Sequence, residues 1–321
     1  MLALFALENE RLIPVDAADA SRDDVVWIDL LNPSAEEDAE VERRIGLSIP
    51  TREEMVEIEI SSRLYTENNA LYMTATLLVR GDGPLPESGP VTFILAGKRL
   101  VTVRYSEPGV FKTFMLQAQK GDSNLRNADS VFVALLEAIV DRTADILEKV
   151  SSDTDDISRT VFATDLNPGS IRGDYKEILR RVGRSGDLTS KVRESLVSIG
   201  RLVNFLTAEC GELHPVLHER TGAISADIRS LTDHATYIGN TTVFLLDATV
   251  GLITIDQNNI IKIVSVVSVV IMPPTLIASI YGMNFRFMPE LSWMIGYPVA
   301  LVAMVAAAIL PYWFFKRRGW L

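Results

Sequence analysis

The sequence predicts an α+β fold: an α/β sandwich and long stalk helices, followed by two transmembrane helices at the C-terminus. Three observations support this fold class. Residues 263–285 and 291–315 contain no charged side chain, and each run exceeds the ~20 apolar residues that a helix needs to cross the hydrocarbon core of a membrane. β-rich runs occupy the first third of the chain. Apolar residues at helical spacing occupy the middle third.

Composition excludes several classes of protein. The chain has 321 residues, of which 31 are basic and 42 acidic, a net charge of −11, and one cysteine. A single cysteine excludes a disulfide scaffold. The acidic balance argues against nucleic acid as a partner, because nucleic-acid binding needs a basic face. The residues beyond Lys262 carry a net +3, so the first 262 residues carry −14.

The charges beside the two runs predict the topology. Lys262 precedes the first run and Lys316-Arg317-Arg318 follows the second, and the positive-inside rule places both on the cytosolic side. The segment Met1–Arg11 lacks a basic n-region, so a secretory signal is not expected. We therefore expect a multi-pass protein of the cytoplasmic (inner) membrane, with both termini in the cytosol.

The elements follow in order along the chain. We expect strands within 25–30, 70–79, 91–96 and 100–104, and a loop at 81–90. The run Asn32-Pro33-Ser34, followed by Glu36 and Glu37, is typical of a helix start. A first long helix begins near Asn127, a second covers about 171–209, and a third begins at His214-Pro215 and continues into the membrane. The predicted domains are 1–126 (cytosolic α/β domain), 127–258 (long helices and stalk), 259–284 (first transmembrane helix), 285–292 (external loop), 293–315 (second transmembrane helix) and 316–321 (basic cytosolic tail).

One face of the third helix carries small or polar residues at regular spacing. We call this face the seam, and its members are Asp247, Gly251, Thr254, Asn258, Ile261, Ser265, Ser268, Met272, Thr275 and Ser279. Their separations alternate between four and three, a repeat typical of helices that associate in parallel. Small residues can simply let helices pack closely in lipid, or the seam can line a pore formed by a symmetric ring of subunits. We favour the pore, because Asp247 and Asn258 extend the pattern beyond the apolar run.

A short motif follows the first apolar run. The run ends in Tyr281-Gly282-Met283-Asn284-Phe285, and Met288-Pro289-Glu290-Leu291 comes next. Together with Pro273-Pro274-Thr275-Leu276, Gly296-Tyr297-Pro298 and a basic tail ending in Trp320-Leu321, this third of the chain resembles the CorA family of magnesium transport proteins, whose signature is Gly-Met-Asn at this place. From the residues alone, Asn284 could equally be a helix C-cap.

The resemblance implies a funnel-shaped homopentamer in which each subunit supplies one pore helix and one outer helix. It implies a selectivity filter at Gly282, Met283 and Asn284, and a hydrophobic gate at Ile261 and Val264. Asn258 is implied as a second polar ring, Glu290 as an external attractant for cations, and Asp247 as a regulatory Mg²⁺ ligand. With the seam, the implied pore lining is Asn258, Ile261, Val264, Ser265, Ser268, Met272, Thr275 and Ser279.

The predicted function is gated Mg²⁺ uptake, with Co²⁺ and Ni²⁺ as further cargo, driven by the membrane potential and inhibited by intracellular Mg²⁺. We expect no enzymatic activity; the expected partners are further copies of the chain, divalent cations and membrane lipid. Mg²⁺ releases its waters reluctantly, and Asn carbonyl groups accept hydrogen bonds from those waters without a full charge. Two alternatives stay open: a zinc transporter of the same superfamily, and a membrane-anchored cytosolic sensor that does not conduct.

Overall fold

The computed structural model describes residues 1–16, 24–80, 86–121, 125–162, 175–209, 215–284, 286 and 288–319, without the side chains of 60, 215–217 and 290. These residues form two compact units, Met1–Leu246 and Asp247–Leu321. Among the sequence features above, His214, Phe285 and Trp320-Leu321 lie outside the described residues.

A seven-stranded mixed sheet forms the centre of the first unit. The strands lie in the order β2-β1-β3-β7-β6-β5-β4. Only β3 and β7 pair in parallel, and the other neighbours are antiparallel. The predicted strands correspond to β3, β5, β6 and β7, but β6 begins at Glu87, so the loop expected at 81–90 ends earlier. The strands are β1 Leu2–Glu8, β2 Arg11–Val15, β3 Val25–Leu31, β4 Leu64–Glu67, β5 Ala70–Arg80, β6 Glu87–Ala96 and β7 Arg99–Arg104.

Helices cover both faces of this sheet. The start of α1 is as predicted: the Ser34 Oγ accepts a hydrogen bond from the Glu37 backbone N–H at 3.3 Å, and the Glu37 carboxylate accepts one from the Ser34 N–H at 3.0 Å. The helices are α1 Ala35–Ile45, α2 Arg52–Val56, α3 Ile60–Arg63, α4 Gly109–Lys120, α5 Ala128–Phe162, α6 Tyr175–Glu209, α7 Pro215–Tyr281 and α8 Gly296–Arg317, with a 3₁₀ turn at Pro289–Ser292.

Two apolar clusters hold the first unit together. One lies between the sheet and α4, α5 and α6, and contains fully buried Trp27, which stacks on Phe5 with ring centres 4.9 Å apart. The other lies on the opposite face and includes Val41 of α1. The predicted sandwich is therefore confirmed, since helices pack on both faces of one sheet.

A buried ion pair joins the two parallel strands. Both Arg104 of β7 and Asp29 of β3 are almost fully buried, and the guanidinium donates to both carboxylate oxygens at 3.0 and 2.7 Å. The Thr102 hydroxyl donates to the same carboxylate at 2.6 Å. Because every partner is hydrogen-bonded, the pair avoids the cost of an uncompensated buried charge.

Two helices of the described chain are long and apolar enough to cross a membrane: the segment His218–Tyr281 of α7 and the helix α8. α7 runs for 67 residues without interruption, about 100 Å at 1.5 Å per residue. The prediction that the third long helix continues into the first span is therefore confirmed. α8 begins at Gly296 and ends at Arg317, somewhat later than the predicted 293–315.

Candidate functional site: the seam of α7 and the turn that follows it

All ten seam residues lie on the described part of α7, and all ten are exposed in the single chain. The covered side chains of α7 lie on the other side of the helix. Leu245, Thr249 and Val266 are buried, and Val270 and Ile277 are partly covered. Each lies two positions from a seam residue, which is about 200° around the helix. The seam is therefore exposed along its length in the single chain, as are apolar residues on other faces of the span such as Ile260, Ile263 and Val267.

The hydroxyl groups of the seam present acceptor oxygens. Thr254, Ser268 and Thr275 each donate the hydroxyl proton to the carbonyl oxygen four residues earlier, at 2.9, 2.8 and 2.8 Å. The oxygen lone pairs of each hydroxyl are then free to accept hydrogen bonds. A hydrated cation presents water protons on its outside, so these oxygens suit it without carrying charge.

The polar ends of the seam are far enough apart to flank a membrane core. Asn258 is exposed, and the helix continues for 23 further residues to Tyr281, about 35 Å. A hydrocarbon core is about 30 Å thick. The predicted gate residues, Ile261 and Val264, are 61% and 58% exposed, so two large apolar side chains follow Asn258 within two turns.

The Gly-Met-Asn motif forms the turn that ends α7. The Gly282 N–H donates to the Ala278 carbonyl at 3.0 Å, and the Met283 N–H donates to the Ile280 carbonyl at 3.2 Å. A Cβ atom at Gly282 would lie 3.2 Å from the Ala278 oxygen and 3.5 Å from the Ser279 oxygen. An added side chain at this position would therefore press against the helix's own carbonyl groups.

Asn284 is exposed and does not adopt a positive φ. An Asn that closes a helix typically takes the left-handed conformation. The conformation therefore gives no support to the C-cap interpretation, and leaves the amide available for a ligand.

Two consecutive prolines lie inside α7, and the helix continues through both. Pro273 and Pro274 have no N–H, so the carbonyl groups of Val269 and Val270 lack their usual partners four residues later. The Thr275 hydroxyl, by contrast, bonds the Ile271 carbonyl at 2.8 Å.

The remaining predicted site residues are not brought together within one chain. Glu290 lies in the 3₁₀ turn Pro289–Ser292, and its side chain is outside the described residues. Asp247 is exposed on α7. No three His, Cys, Asp or Glu side chains of the described ranges are grouped so that they could hold a metal ion.

Sequence reasoning missed a crowded set of carboxylates in the first unit. Burial, and then the neighbouring Glu137, Asp145 and Asp227, raise the pKa of the Asp141 carboxyl. Arg220 of α7 offsets part of this charge by donating to Glu137 at 2.8 Å. The sequence contained a signal for this cluster, because the acidic residues 137, 141 and 145 recur every four positions along α5 and so lie on one face of the helix.

Comparisons with known proteins agree with this geometry. The profile of the family described as "CorA-like Mg2+ transporter protein" matches residues 22–317. Proteins named magnesium transport protein CorA from Escherichia coli K12 and from Salmonella typhimurium LT2 are 36% identical to the chain over 326 residues, covering the whole of both sequences.

Solved structures share the fold. The CorA magnesium transporter from Methanocaldococcus jannaschii matches with a TM-score of 0.77 at 18% identity, covering 100% of this chain and 99% of that one. The cytoplasmic domain of ZntB from Vibrio parahaemolyticus matches 77% of this chain and 95% of its own length, with a TM-score of 0.58 at 8% identity. With the family established by profile and full-length identity, the two apolar helices are transmembrane, and the chain belongs to the CorA-like Mg²⁺ transporter family.

Proposed function

We propose that the chain mediates gated uptake of Mg²⁺ across the cytoplasmic membrane, through a pore that five copies of α7 enclose with their seams. Asn284 and its neighbours Gly282 and Met283 form the outer filter, and Asn258 forms a polar ring at the cytosolic end. Ile261 and Val264 form the gate between this ring and the membrane interior. Co²⁺ and Ni²⁺, whose hydrated ions are similar in size, are further cargo.

The observation that carries this proposal is the row of exposed neutral acceptors along one face of a transmembrane helix. A helix that only anchors a domain in lipid has no use for a row of hydroxyl oxygens, whereas water or a hydrated ion can donate hydrogen bonds to them. The seam becomes favourable when it faces water. One helix cannot enclose a water-filled path, so a symmetric ring of copies is needed.

Neutral oxygens suit the transit of a strongly hydrated ion. Mg²⁺ is reluctant to lose its first-shell water, so a conducting path should hold the hydrated ion by hydrogen bonds from its waters. Asn carbonyls and the outward lone pairs of Thr254, Ser268 and Thr275 supply such acceptors. A path conducts only when its sites bind the ion weakly enough to release it.

The membrane potential is a sufficient driving force. A divalent cation gains about 4.6 kcal/mol on entering a cell held at 100 mV, inside negative, which corresponds to roughly three decades of concentration. An ungated path would therefore overload the cell. We infer that intracellular Mg²⁺ closes the pore by binding between subunits near Asp247, where it neutralises part of the −14 charge of the first 262 residues.

The first test is ion flux into liposomes that contain the purified chain. Asn258→Ala should reduce Mg²⁺ entry, whereas Asn259→Ala should leave it unchanged, because Asn259 is also exposed but lies about 100° around the helix. Asn284→Ala should abolish entry. If Mg²⁺ flux is absent in the parent protein, the chain is a non-conducting sensor; if Asn258 and Asn259 behave alike, the seam is not the conducting face.

Two further measurements separate the remaining parts of the proposal. Zn²⁺ entry faster than Mg²⁺ entry under the same potential would identify a zinc transporter and contradict the assignment of cargo. Asp247→Asn should weaken inhibition by Mg²⁺ inside the liposome while the uninhibited flux stays the same. Unchanged inhibition would place the regulatory site elsewhere, without affecting the assignment of the pore.

A further inference from the structure

The second transmembrane helix carries an exposed apolar groove on one face. The groove has a volume of about 470 Å³ and almost no polar lining. The opposite face of α8, with Met304, Ala308, Pro311 and Phe315, is partly covered. The groove is lined by Leu301, Val302, Val305, Ala306, Ile309 and Leu310.

The groove leads along the helix to a cation held against an aromatic ring. Val302, Ala306, Leu310, Trp313 and Arg317 are separated by four, four, three and four residues, which places them on one face of α8. The centre of the Arg317 guanidinium lies 3.6 Å from the centre of the Trp313 ring. An arginine stacked in this way keeps its N–H edge free for a bidentate acceptor.

The positive charges at this end of α8 have no counter-ion within the described part of the chain. Lys316, Arg317 and Arg318 are exposed, and none of them forms an ion pair with a described residue. They are also not needed to cap the helix, because the backbone N–H groups of Arg318 and Gly319 bond the last carbonyl groups at 3.2 Å. Three positive charges therefore remain available to an anion.

We propose that this face of α8 is a binding site for an anionic phospholipid. One acyl chain lies along the groove, and the phosphate is bound by Lys316, Arg317 and Arg318. The groove extends over ten residues, about 14 Å, which matches half of a hydrocarbon core about 30 Å thick. The continuity of the groove with the basic cluster favours a lipid over a free anion, since a free phosphate has no use for the apolar part.

The inference rests on α8 being transmembrane and is independent of whether the chain conducts ions. A basic residue beside an anionic bilayer surface raises the affinity of the protein for anionic lipid about fivefold. The gain should fall at high salt, because exposed charges are screened over about 10 Å at 0.1 M. Removing a single arginine should therefore have a measurable effect.

The test uses the full-length chain in mixed bilayers and reads the fluorescence of Trp313. Trp293→Phe and Trp320→Phe remove the other tryptophans outside the first unit, and Trp27 is fully buried there. Dibrominated phosphatidylglycerol, mixed with unlabelled phosphatidylcholine, should quench Trp313 at least about fivefold more effectively than dibrominated phosphatidylcholine at equal mole fraction. Arg317→Gln should lower this preference about fivefold, and K316Q/R317Q/R318Q should abolish it.

Matched controls keep the result interpretable. Arg286→Gln removes a positive charge outside α8 and should leave the preference unchanged, and each variant is checked for intact helix content by circular dichroism. The proposal is overturned if both brominated lipids quench equally in the parent protein, or if the triple variant retains its preference. It is also overturned if soluble glycerol phosphate, at a concentration equal to that of the phosphatidylglycerol, removes the preference, because the apolar groove would then contribute nothing to binding.

Discussion

Replacing Gly282 with alanine should impair transport while barely changing stability. The added Cβ atom would lie 3.2 Å from the Ala278 carbonyl oxygen, closer than ordinary contact by a few tenths of an ångström. That oxygen already accepts the Gly282 N–H at 3.0 Å, so the strain is relieved by displacing the turn. Loss of that hydrogen bond costs about 1 kcal/mol, and alanine recovers about 0.4–1 kcal/mol by restricting the unfolded chain.

The displaced turn carries Met283 and Asn284. If each Asn284 amide loses one hydrogen bond to the hydrated ion, worth about 1 kcal/mol, the affinity of each subunit's contact falls about fivefold. We therefore expect at least a fivefold loss of Mg²⁺ flux in liposomes for Gly282→Ala. Gly222→Ala is the matched control, since Gly222 lies on the same helix and a Cβ atom there meets nothing within 4 Å. Flux of Gly282→Ala equal to that of the parent protein would refute the reasoning.

Three further predictions concern other parts of the chain. Arg104→Met leaves the buried Asp29 carboxylate uncompensated and should lower the free energy of unfolding by about 3–5 kcal/mol, measured by thermal unfolding. The double variant D29L/R104M should recover most of this loss. An unchanged melting temperature for Arg104→Met would contradict this prediction. The N-terminal ammonium donates a hydrogen bond to the Glu37 carboxylate at 2.8 Å, which lowers the pKa of Glu37. The ionised carboxylate therefore stabilises the fold at every pH above the usual pKa of about 4.3. This stabilisation is lost as the pH falls through the lowered pKa. Glu37→Gln should therefore melt below the parent at pH 7 and together with it in strong acid, and equal melting at pH 7 would be inconsistent with the pKa shift. Thr275→Val removes one seam acceptor at nearly constant shape and should lower Mg²⁺ flux about fivefold. The control Thr241→Val loses the same kind of hydrogen bond on another face of α7 and should leave the flux unchanged. Equal flux losses in the two variants would argue against the seam as the conducting face.

Local sequence patterns predicted those elements whose pattern is strong. The capping box at Ser34 and the 67-residue course of α7 were both predictable, because cap residues and helical periodicity are local signals. The hairpin of β1 and β2 was missed. Its turn places Asn9 and Glu10 at positive φ, 51° and 62°, and glutamate is not a residue that normally indicates such a turn. α4 was also missed, because its N-cap is Pro108, which makes no side-chain capping bond.

The sequence predicted which face of α7 carries the candidate site, but it did not predict the contacts that complete the site. The spacing of the seam identifies which side of α7 is polar, since periodicity follows from helix geometry alone. The hydroxyl orientations at Ser268 and Thr275, and the close contact that a side chain at residue 282 would make, depend on atomic positions that spacing does not contain. Under the proposed function, the ligands that join Asp247 would come from further copies of the chain, and neither the sequence pattern nor one folded chain contains them.

Under the proposed function, the distribution of charge would separate the attraction of cations from their passage. The first 262 residues carry −14, whereas no seam residue beyond Asp247 carries a charge. In a symmetric ring, one carboxylate per subunit would place several negative charges around the axis, and a divalent ion held there would leave slowly. Neutral acceptors avoid this, because each contributes only about the net energy of one hydrogen bond to the ion's water. An acidic region outside the span can then hold cations for regulation, since tight binding there does not slow an ion that is crossing the membrane.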